Sequence, residues 1–364
     1  MKKNFLVVSF LLIISLVFST VLTSCSSTPK EAVYVYNFGE YIDPDLISQF
    51  ERETGIKVYY DMYESPEDLY TQLKASSVQY DCACTSDYMI EKMISEDMLS
   101  PIDWSKISTK DNIGATYYKY AQAYDKGNKY SIPYFFGTLG LLCNKDMLKE
   151  KNLEVPESWA DLWKEEYKDE IIMINSMRDA FAVAFAKNGF SLNTKNEAEI
   201  KKAAEDLIVQ KPLVNSYVQD QTKDKLMAGE ASIGVIYSGD AAFAKTEMAG
   251  EIDFTYVTPK EGTNLWIDAW FIPKNARNIE NAHKWLDFLG RGDVAAKNFD
   301  FIQYSIVNTA SKDLINKELI ADKEVFIDLD DPETTKGVKL DVYVSLGADV
   351  DRIYDEYWKK VLSE

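Results

Sequence analysis

Short apolar runs typical of buried strands alternate with helical patterns along most of the chain. Residues 33–38 form the run VYVYNF, and after it Leu46 and Phe50 recur at the spacing of one helix face. The runs IKVYYDMY at 56–63 and YDCACTS at 80–86 are further strand candidates. The pattern therefore predicts a β-α-β-α order at the start of the fold.

Capping residues mark the ends of the first two predicted helices. Asp43 stands at the N-cap position before Pro44, and Gly55 follows the last helical residue. Ser65 and Pro66 repeat the start signal, and the acidic residues after them suit the positive end of a helix dipole. Helices are therefore predicted to begin at 44 and 66, the first of them running to 54.

The same alternation continues through the rest of the chain and indicates an α/β fold. A third helix is predicted over 87–98, and six more strands are predicted at 131–135, 138–143, 171–175, 232–237, 254–257 and 265–271. Strands that alternate with helices usually form parallel sheets covered by helices. Open sheets of this kind bind ligands beyond the carboxyl ends of their strands, where Glu40, Tyr88 and Asp240 are placed.

The first 25 residues have the features of an export signal. Two lysines, Lys2 and Lys3, precede a mostly apolar stretch over 5–22, and Leu22-Thr23-Ser24-Cys25 resembles the lipobox of bacterial lipoproteins. The resemblance implies a diacylated Cys25 as the first residue of the mature chain. An uncleaved signal anchor is the alternative, because the stretch is nearly long enough to span a bilayer. Both interpretations place the body of the protein outside the cytoplasm.

The composition excludes several classes of function. A net charge of −19 over 364 residues repels nucleic acid and attracts cations. The single histidine, His283, argues against a Ser-His-Asp relay and excludes a multi-histidine metal site, and we expect it to pack in a helix face. Nucleotide-binding and nucleophile-elbow motifs are absent from the sequence. Cys82 and Cys84 could form a metal pair, but buried free thiols are the favoured interpretation.

Acidic side chains stand beside aromatic ones at several predicted strand ends. Trp266 and Asp268, two residues apart, would project from the same face of a strand. Glu40 lies between Gly39 and Tyr41 at the end of the first strand. A carboxylate next to an aromatic ring suits an organic ammonium, which receives charge-assisted hydrogen bonds and cation–π contacts. The alternative is that the rings belong to the core while the acids reach solvent.

Several segments resemble, in the same order, the spermidine/putrescine-binding proteins of bacterial polyamine ABC transporters. These segments are YNFGEYIDPDLISQFERETGIKV, YDCACTSDYMIEKM, YSIPYFFGTLGLLCN, SWADLWKEEYK, IYSGDAAF, NLWIDAWFIP and IYDEYW. The resemblance implies two α/β lobes, each a mixed and mostly parallel sheet flanked by helices, joined by a hinge of crossing segments. The expected lobes are discontinuous, the first over 32–141 and 267–310, the second over 142–266 and 311–364.

The resemblance also implies a set of ligand-binding residues around a cleft between the lobes. They are Phe38, Gly39, Glu40, Tyr41, Ser86, Tyr88, Ser176, Asp179, Tyr237, Trp266, Asp268 and Tyr304. Phe38 and Tyr237 stand where such proteins commonly have tryptophan, Ser176 stands where they have an acid, and an expected late glutamine is missing between 340 and 345. These departures leave open whether spermidine or putrescine is preferred.

The sequence therefore predicts a monomeric, lipid-anchored binding protein without catalysis or cofactor. Its expected partners are a polyamine, a membrane-embedded ABC permease and the membrane that holds Cys25. One alternative keeps the fold but binds another organic cation or an amine metabolite. A second alternative, an extracellular carbohydrate hydrolase, needs a readable pair of carboxylates, which so acidic a chain does not single out.

Overall fold

The computed structural model describes residues 31–76, 78–331, 335 and 337–364. The predicted signal and lipidation site, including Cys25, lie outside the described residues. The described strands are β1 (Ala32–Phe38), β2 (Lys57–Tyr63), β3 (Cys82–Ser86), β4 (Leu99–Ser100), β5 (Ser131–Asn144), β6 (Ile171–Ile174), β7 (Val214–Val218), β8 (Ile233–Tyr237), β9 (Phe254–Val257), β10 (Thr263–Pro273), β11 (Ser305–Ile306) and β12 (Leu340–Val342).

Helices flank these strands, and short 3-10 turns complete several connections. The α-helices are α1 (Pro44–Thr54), α2 (Pro66–Ala75), α3 (Asp87–Ser95), α4 (Ala115–Ala121), α5 (Lys145–Glu150), α6 (Met177–Asn188), α7 (Glu197–Gln210), α8 (Thr222–Met227), α9 (Ser238–Glu247), α10 (Ile279–Leu289), α11 (Gly292–Ile302) and α12 (Ala348–Ser363). Among the described residues, no helix is both long enough and apolar enough to cross a membrane.

The strand β5 takes part in two sheets and connects the two halves of the fold. Its first part pairs with β10 and β11, and from Leu139 onward it pairs with β8 and β9. On one side β10 continues to β3, β1 and β2, and on the other β8 continues to β6 and β7. The outer strands of both sheets pair in parallel, whereas β5 and β10 pair antiparallel with each other. The mixed α/β architecture is as predicted, and the lobe boundaries stay a prediction.

The helix starts predicted from the sequence are confirmed. The Asp43 carboxylate accepts the backbone N–H of Asp45 at 2.9 Å, with Pro44 in the first turn of α1. The Ser65 hydroxyl accepts the backbone N–H of Asp68 at the start of α2. Gly55 ends α1 at a φ of 73°, a left-handed conformation that costs glycine little. These ends matter because the first cluster of cleft residues lies at the end of β1 and in the turn before α1.

The structure differs from the sequence prediction at the central strand, and it adds the strands β4, β7, β11 and β12, which were not predicted. Residues 131–135 and 138–143 were predicted as two strands, yet they form the single strand β5. Gly137 lies inside it, where a Cβ atom would come within 2.5 Å of the Trp266 ring. The register against β10 shifts between Asp268 and Ala269, so β5 holds one extra residue at Tyr134. Glycine and a bulge therefore interrupt the apolar pattern without ending the strand.

The residues singled out as structural lie in the core. Cys82 and Cys84 are free thiols with no exposed surface. His283 is 2% exposed, its Nδ1 lies 2.8 Å from the Ile279 carbonyl oxygen, and its Nε2 accepts the backbone N–H of Asp103. Both interpretations from the sequence are confirmed. The described residues contain no group of histidine, cysteine and acidic side chains suited to a metal ion.

Candidate functional site

Strand ends from both sheets converge on one cleft of about 1200 Å³. β1, β3 and β8 each end at its edge, and a loop or helix that follows each of them contributes further side chains. All twelve residues predicted from the sequence line this cleft: Phe38, Gly39, Glu40, Tyr41, Ser86, Tyr88, Ser176, Asp179, Tyr237, Trp266, Asp268 and Tyr304. Their placement agrees with the prediction, and their binding role stays a prediction.

Asp268 is a buried carboxylate on β10 with one oxygen left without a donor. It is 6% exposed, and its Oδ2 accepts the Tyr41 hydroxyl at 2.9 Å. Its Oδ1 has no hydrogen-bond donor within the described part of the chain. Burial raises the pKa of Asp268 to about 7, against the opposing effect of the Tyr41 and Ser86 hydroxyls. A ligand ammonium would supply the missing donor and favour the charged form.

Asp179, in the first turn of α6, is the second buried carboxylate of the cleft. It is 6% exposed. Its Oδ2 accepts the hydroxyls of Ser176 at 2.6 Å and Tyr237 at 2.7 Å, and its Oδ1 accepts that of Tyr343 at 2.9 Å. All three donors are neutral, and neither Asp179 nor Asp268 joins an ion pair among the residues that the structure describes. Asp179 therefore has three hydrogen-bond donors but no salt bridge within the described residues.

Aromatic rings form the apolar walls between these carboxylates. The Trp266 ring lies 5.3 Å from the Tyr304 ring and 6.0 Å from the Tyr237 ring, measured between centroids. Tyr304 in turn lies 5.5 Å from Tyr41, and Phe38 lies at the same distance on the other side of Tyr41. Ring faces attract cations and pack against methylene groups. The walls therefore suit an alkyl chain that carries ammonium groups.

Tyr88 closes another side of the cleft. Its hydroxyl donates to Glu67 Oε1 at 3.0 Å, and its ring lies 5.0 Å from the guanidinium carbon of Arg178. Burial raises the pKa of Glu67, although the Tyr88 hydroxyl opposes the shift. Arg178 also lies 4.5 Å from the Tyr343 ring, so one protein cation already covers these two rings.

Glu40 occupies a different setting from the one expected for a buried anchor. Its side chain is 70% exposed, and its backbone has a φ of 50° in the turn after β1. Its carboxylate forms a salt bridge with the ammonium of Lys223 at 2.8 Å, and Lys223 forms a second salt bridge with Asp240 at 3.2 Å. Glu40 thus lies at the predicted strand end beside the predicted rings, but it is ion-paired within the protein.

Sequence reasoning did not single out four residues that shape the cleft: Glu67, Arg178, Lys223 and Tyr343. Tyr343 lies within 340–345, the segment in which a polar contact was expected and no glutamine was found. Its hydroxyl reaches Asp179, so the segment does provide a polar group. Arg178 directly precedes the predicted residue Asp179, whereas Lys223 lies in a short helix without a motif. Only long-range packing brings Lys223 to Glu40.

Two helix-covered sheets that share crossing strands and line a common cleft define the class of two-lobed solute-binding proteins. A family model described as "Bacterial extracellular solute-binding protein" matches residues 82–331. The chain belongs to this family of bacterial extracellular solute-binding proteins.

Relatives and solved structures of similar sequence cover almost the whole chain. This chain is 35% identical over 341 residues to the spermidine/putrescine-binding periplasmic protein of Escherichia coli K12. The alignment covers 93% of this chain and 94% of that protein. The putrescine-binding periplasmic protein PotF of the same organism is 27% identical, with 92% of each chain covered.

Among solved structures, the spermidine/putrescine transporter substrate-binding protein PotD of Streptococcus pneumoniae has a TM-score of 0.73 at 36% identity, covering 91% of this chain and 98% of that one. The TpPotD lipoprotein of Treponema pallidum has a TM-score of 0.77 at 25% identity, with 91% and 99% covered.

Proposed function

We propose that this protein captures a polyamine, spermidine or putrescine, in the cleft and delivers it to an ABC permease, without catalysing a reaction. The observation that carries the proposal is the pair of buried carboxylates, Asp179 and Asp268, that lack an ionic partner beside the rings of Trp266 and Tyr304. A protonated polyamine offers ammonium groups to the carboxylates and methylene groups to the rings. The names of the relatives in Escherichia coli and Streptococcus pneumoniae support the same ligand class.

The strength of these contacts is sufficient for a transport receptor. A hydrogen bond to a charged group contributes about 1.5–3 kcal/mol, and a cation–π contact contributes about 0.5–2 kcal/mol. Ordering the ligand and bringing the lobes together offset several kcal/mol of this sum. We therefore expect a Kd near 1 µM or below, which corresponds to about −8 kcal/mol.

Calorimetric titration of the purified protein with putrescine, spermidine and spermine tests the proposal. At least one of the three is expected to bind with a low-micromolar or lower Kd. Butane-1,4-diol, which has the length of putrescine but no charge, is the control and is expected to produce no binding heat. If no polyamine gives heat or raises the melting temperature, the proposal is wrong.

A different ligand on the same fold is the alternative that such a titration leaves open. The alternative is motivated by three residues, Phe38, Ser176 and Tyr237, which differ from those common in polyamine-binding proteins. A cleft with these residues could select another organic cation. Mass spectrometry of the small molecules released by denaturing the purified protein separates the two. Recovery of a monoamine or a quaternary amine in place of a polyamine would favour the alternative.

We further propose that Cys25 is lipidated and tethers a monomer to the outer side of a bacterial membrane. The tetrad Leu22-Thr23-Ser24-Cys25 supports the anchor, and the similar Treponema pallidum protein is described as a lipoprotein. In cells, a C25S variant is expected to lose incorporation of labelled palmitate and to leave the membrane fraction. S24A, at the neighbouring position, is the control and should remain in the membrane fraction. Unchanged labelling of C25S would contradict the anchor.

A further inference from the structure

The ammonium group of Lys223 occupies an acidic part of the cleft. Lys223 belongs to α8, and its side chain is 11% exposed. It donates to Glu40 Oε2 at 2.8 Å and to Asp240 Oδ1 at 3.2 Å, and its nitrogen lies 5.9 Å from the centroid of the Phe243 ring. Two carboxylates and a ring are also the surroundings expected for a bound ligand ammonium.

This group is continuous with the wall that borders Asp268. The second oxygen of Asp240 accepts the Tyr304 hydroxyl at 2.9 Å. The Tyr304 ring contacts the Tyr41 ring, and the Tyr41 hydroxyl donates to Asp268. A ligand that extends from Asp268 along this wall therefore approaches the ammonium of Lys223.

Lys223 keeps its charge at physiological pH. Burial lowers the pKa of Lys223, but the charges of Asp240 and Glu40 and the hydrogen bonds to them outweigh burial, so that its pKa lies above the ordinary value. Nearby, burial and the charge of Asp240 raise the pKa of Asp220 to about 6. The ammonium of Lys223 therefore compensates one of the two negative charges of Glu40 and Asp240 while it is hydrogen-bonded to both carboxylates.

The opposite holds for the two carboxylates of the proposed ligand site. Asp179 and Asp268 have only neutral hydroxyl donors among the described residues. Their charges are close enough that Asp179 contributes to the raised pKa of Asp268. Two carboxylates without a counter-ion can hold two ammonium groups, whereas the position between Glu40 and Asp240 already holds the ammonium of Lys223, which a third ligand ammonium would have to displace.

We propose that Lys223 is a specificity-determining residue, which fills a third ammonium position between Glu40 and Asp240 and thereby selects diamines over triamines. The inference rests on the proposed polyamine function. It identifies putrescine and diamines of similar length as the favoured class of ligand. It also assigns Glu40 to holding Lys223 in place of the ligand.

Replacing Lys223 by a neutral side chain of similar length tests this role. Calorimetry gives the ratio of the spermidine Kd to the putrescine Kd for the wild type, for K223M, and for K223R, which keeps the charge. K223M is expected to lower the ratio of the spermidine Kd to the putrescine Kd by about tenfold, which is the effect of a single charged contact. K223R is expected to keep the wild-type ratio. The proposal is overturned if K223M leaves this ratio unchanged or raises it.

A change in the ligand tests the same point without altering the protein. Spermidine acetylated on the nitrogen of its three-carbon arm keeps the two charges of the putrescine unit but loses the third charge. If Lys223 repels the third ammonium, the wild type binds the acetylated form at least as tightly as spermidine. Weaker binding of the acetylated form by about tenfold would indicate a vacant third ammonium site and overturn the role of Lys223.

The outcomes separate the two proposals. Binding of putrescine and spermidine with no response to K223M, or with about tenfold weaker binding of the acetylated form, removes the role of Lys223 and leaves polyamine binding intact. Absence of binding by the wild type to both polyamines removes the proposed function and the inference with it. Circular dichroism and the melting temperature of each variant confirm that the chain compared is folded.

Discussion

Burial without a counter-ion is the property that makes single residues of this cleft suited to a cation. Asp268 keeps one unpartnered oxygen, and Asp179 is surrounded by three hydroxyl groups. A buried charge without a partner is costly, so a ligand that supplies the partner recovers that cost as binding free energy. Glu40 is exposed and already ion-paired with Lys223, so a ligand would recover no such binding free energy from it.

Asp268 should make ligand binding depend on pH. Because its pKa is raised to about 7 in the unliganded protein, the carboxylate takes up a proton as pH falls through 7, and a cation then loses its partner. The association constant for putrescine should fall by up to about tenfold per pH unit below 7. Calorimetry at pH 5.5, 6.5 and 7.5 measures the slope.

The variant D268N shows whether this carboxylate is responsible. It keeps the shape of the side chain and deletes the charge, so it should weaken binding by about 30- to 100-fold at pH 7.5 and flatten the pH dependence. D111N, at an exposed position away from the cleft, is the matched control. Wild-type affinity in D268N would contradict the anchoring role.

At the scale of elements, close packing between helices and strands sets the positions of the cleft rings. Gly239 in the first turn of α9 lies directly against Tyr304, which follows α11. A Cβ atom at Gly239 would come within 2.3 Å of the Tyr304 ring. The glycine therefore lets α9 approach this ring closely enough for Tyr304 to bond Asp240.

The variant G239A should disturb both stability and binding. The added methyl group forces the Tyr304 ring to shift, which should lower the free energy of unfolding by about 1–3 kcal/mol and weaken putrescine binding. Urea denaturation and calorimetry measure the two effects. G39A is the control for stability, because a Cβ atom there meets only Asp220 Oδ2 at an ordinary 3.6 Å. Equal stability of G239A and the wild type would show that the ring has room to move.

At the scale of the whole molecule, the cleft is closed by contacts between elements of the two sheets. Glu40 pairs with Lys223, Gln219 donates to the Glu64 carbonyl oxygen, and Lys92 contacts Asp351 at 2.7 Å. The carboxylates of the proposed ligand site likewise come from different elements, with Asp268 on β10 and Asp179 on α6. A ligand bound to both carboxylates stabilises the closed arrangement relative to an open one.

Small-angle X-ray scattering should detect this effect in solution. Saturating putrescine is expected to reduce the radius of gyration of the wild-type protein, because the ligand shifts the population toward closure. The double variant D179N/D268N is the control and should keep the unliganded radius when putrescine is added. A wild-type radius that does not change on saturation would show that binding and closure are not coupled.

The sequence by itself determined most of the helices and strands and twelve of the residues that line the cleft. Apolar periodicity and the caps at Asp43 and Ser65 are local features, and they fix where strands end and helices begin. Since parallel strands bring their carboxyl ends to one edge, residues at those ends, such as Glu40, Tyr88 and Tyr237, could be assigned to one cleft. Ser176, Asp179 and Tyr304 were implied only by the resemblance to polyamine-binding proteins. Trp266 and Asp268 followed from the two-residue period of a strand.

Only the tertiary structure decided which charges are already compensated. Lys223 is 183 residues from Glu40 along the chain, and Tyr343 is 164 residues from Asp179. No local pattern records such pairs, because they depend on how the two sheets are placed across the cleft. Electrostatic attraction depends on distance in space and on burial, and folding sets both. The sequence thus supplied the acidic and aromatic residues of the cleft. Folding paired Glu40 with Lys223 and left Asp179 and Asp268 without an ion-pair partner among the described residues.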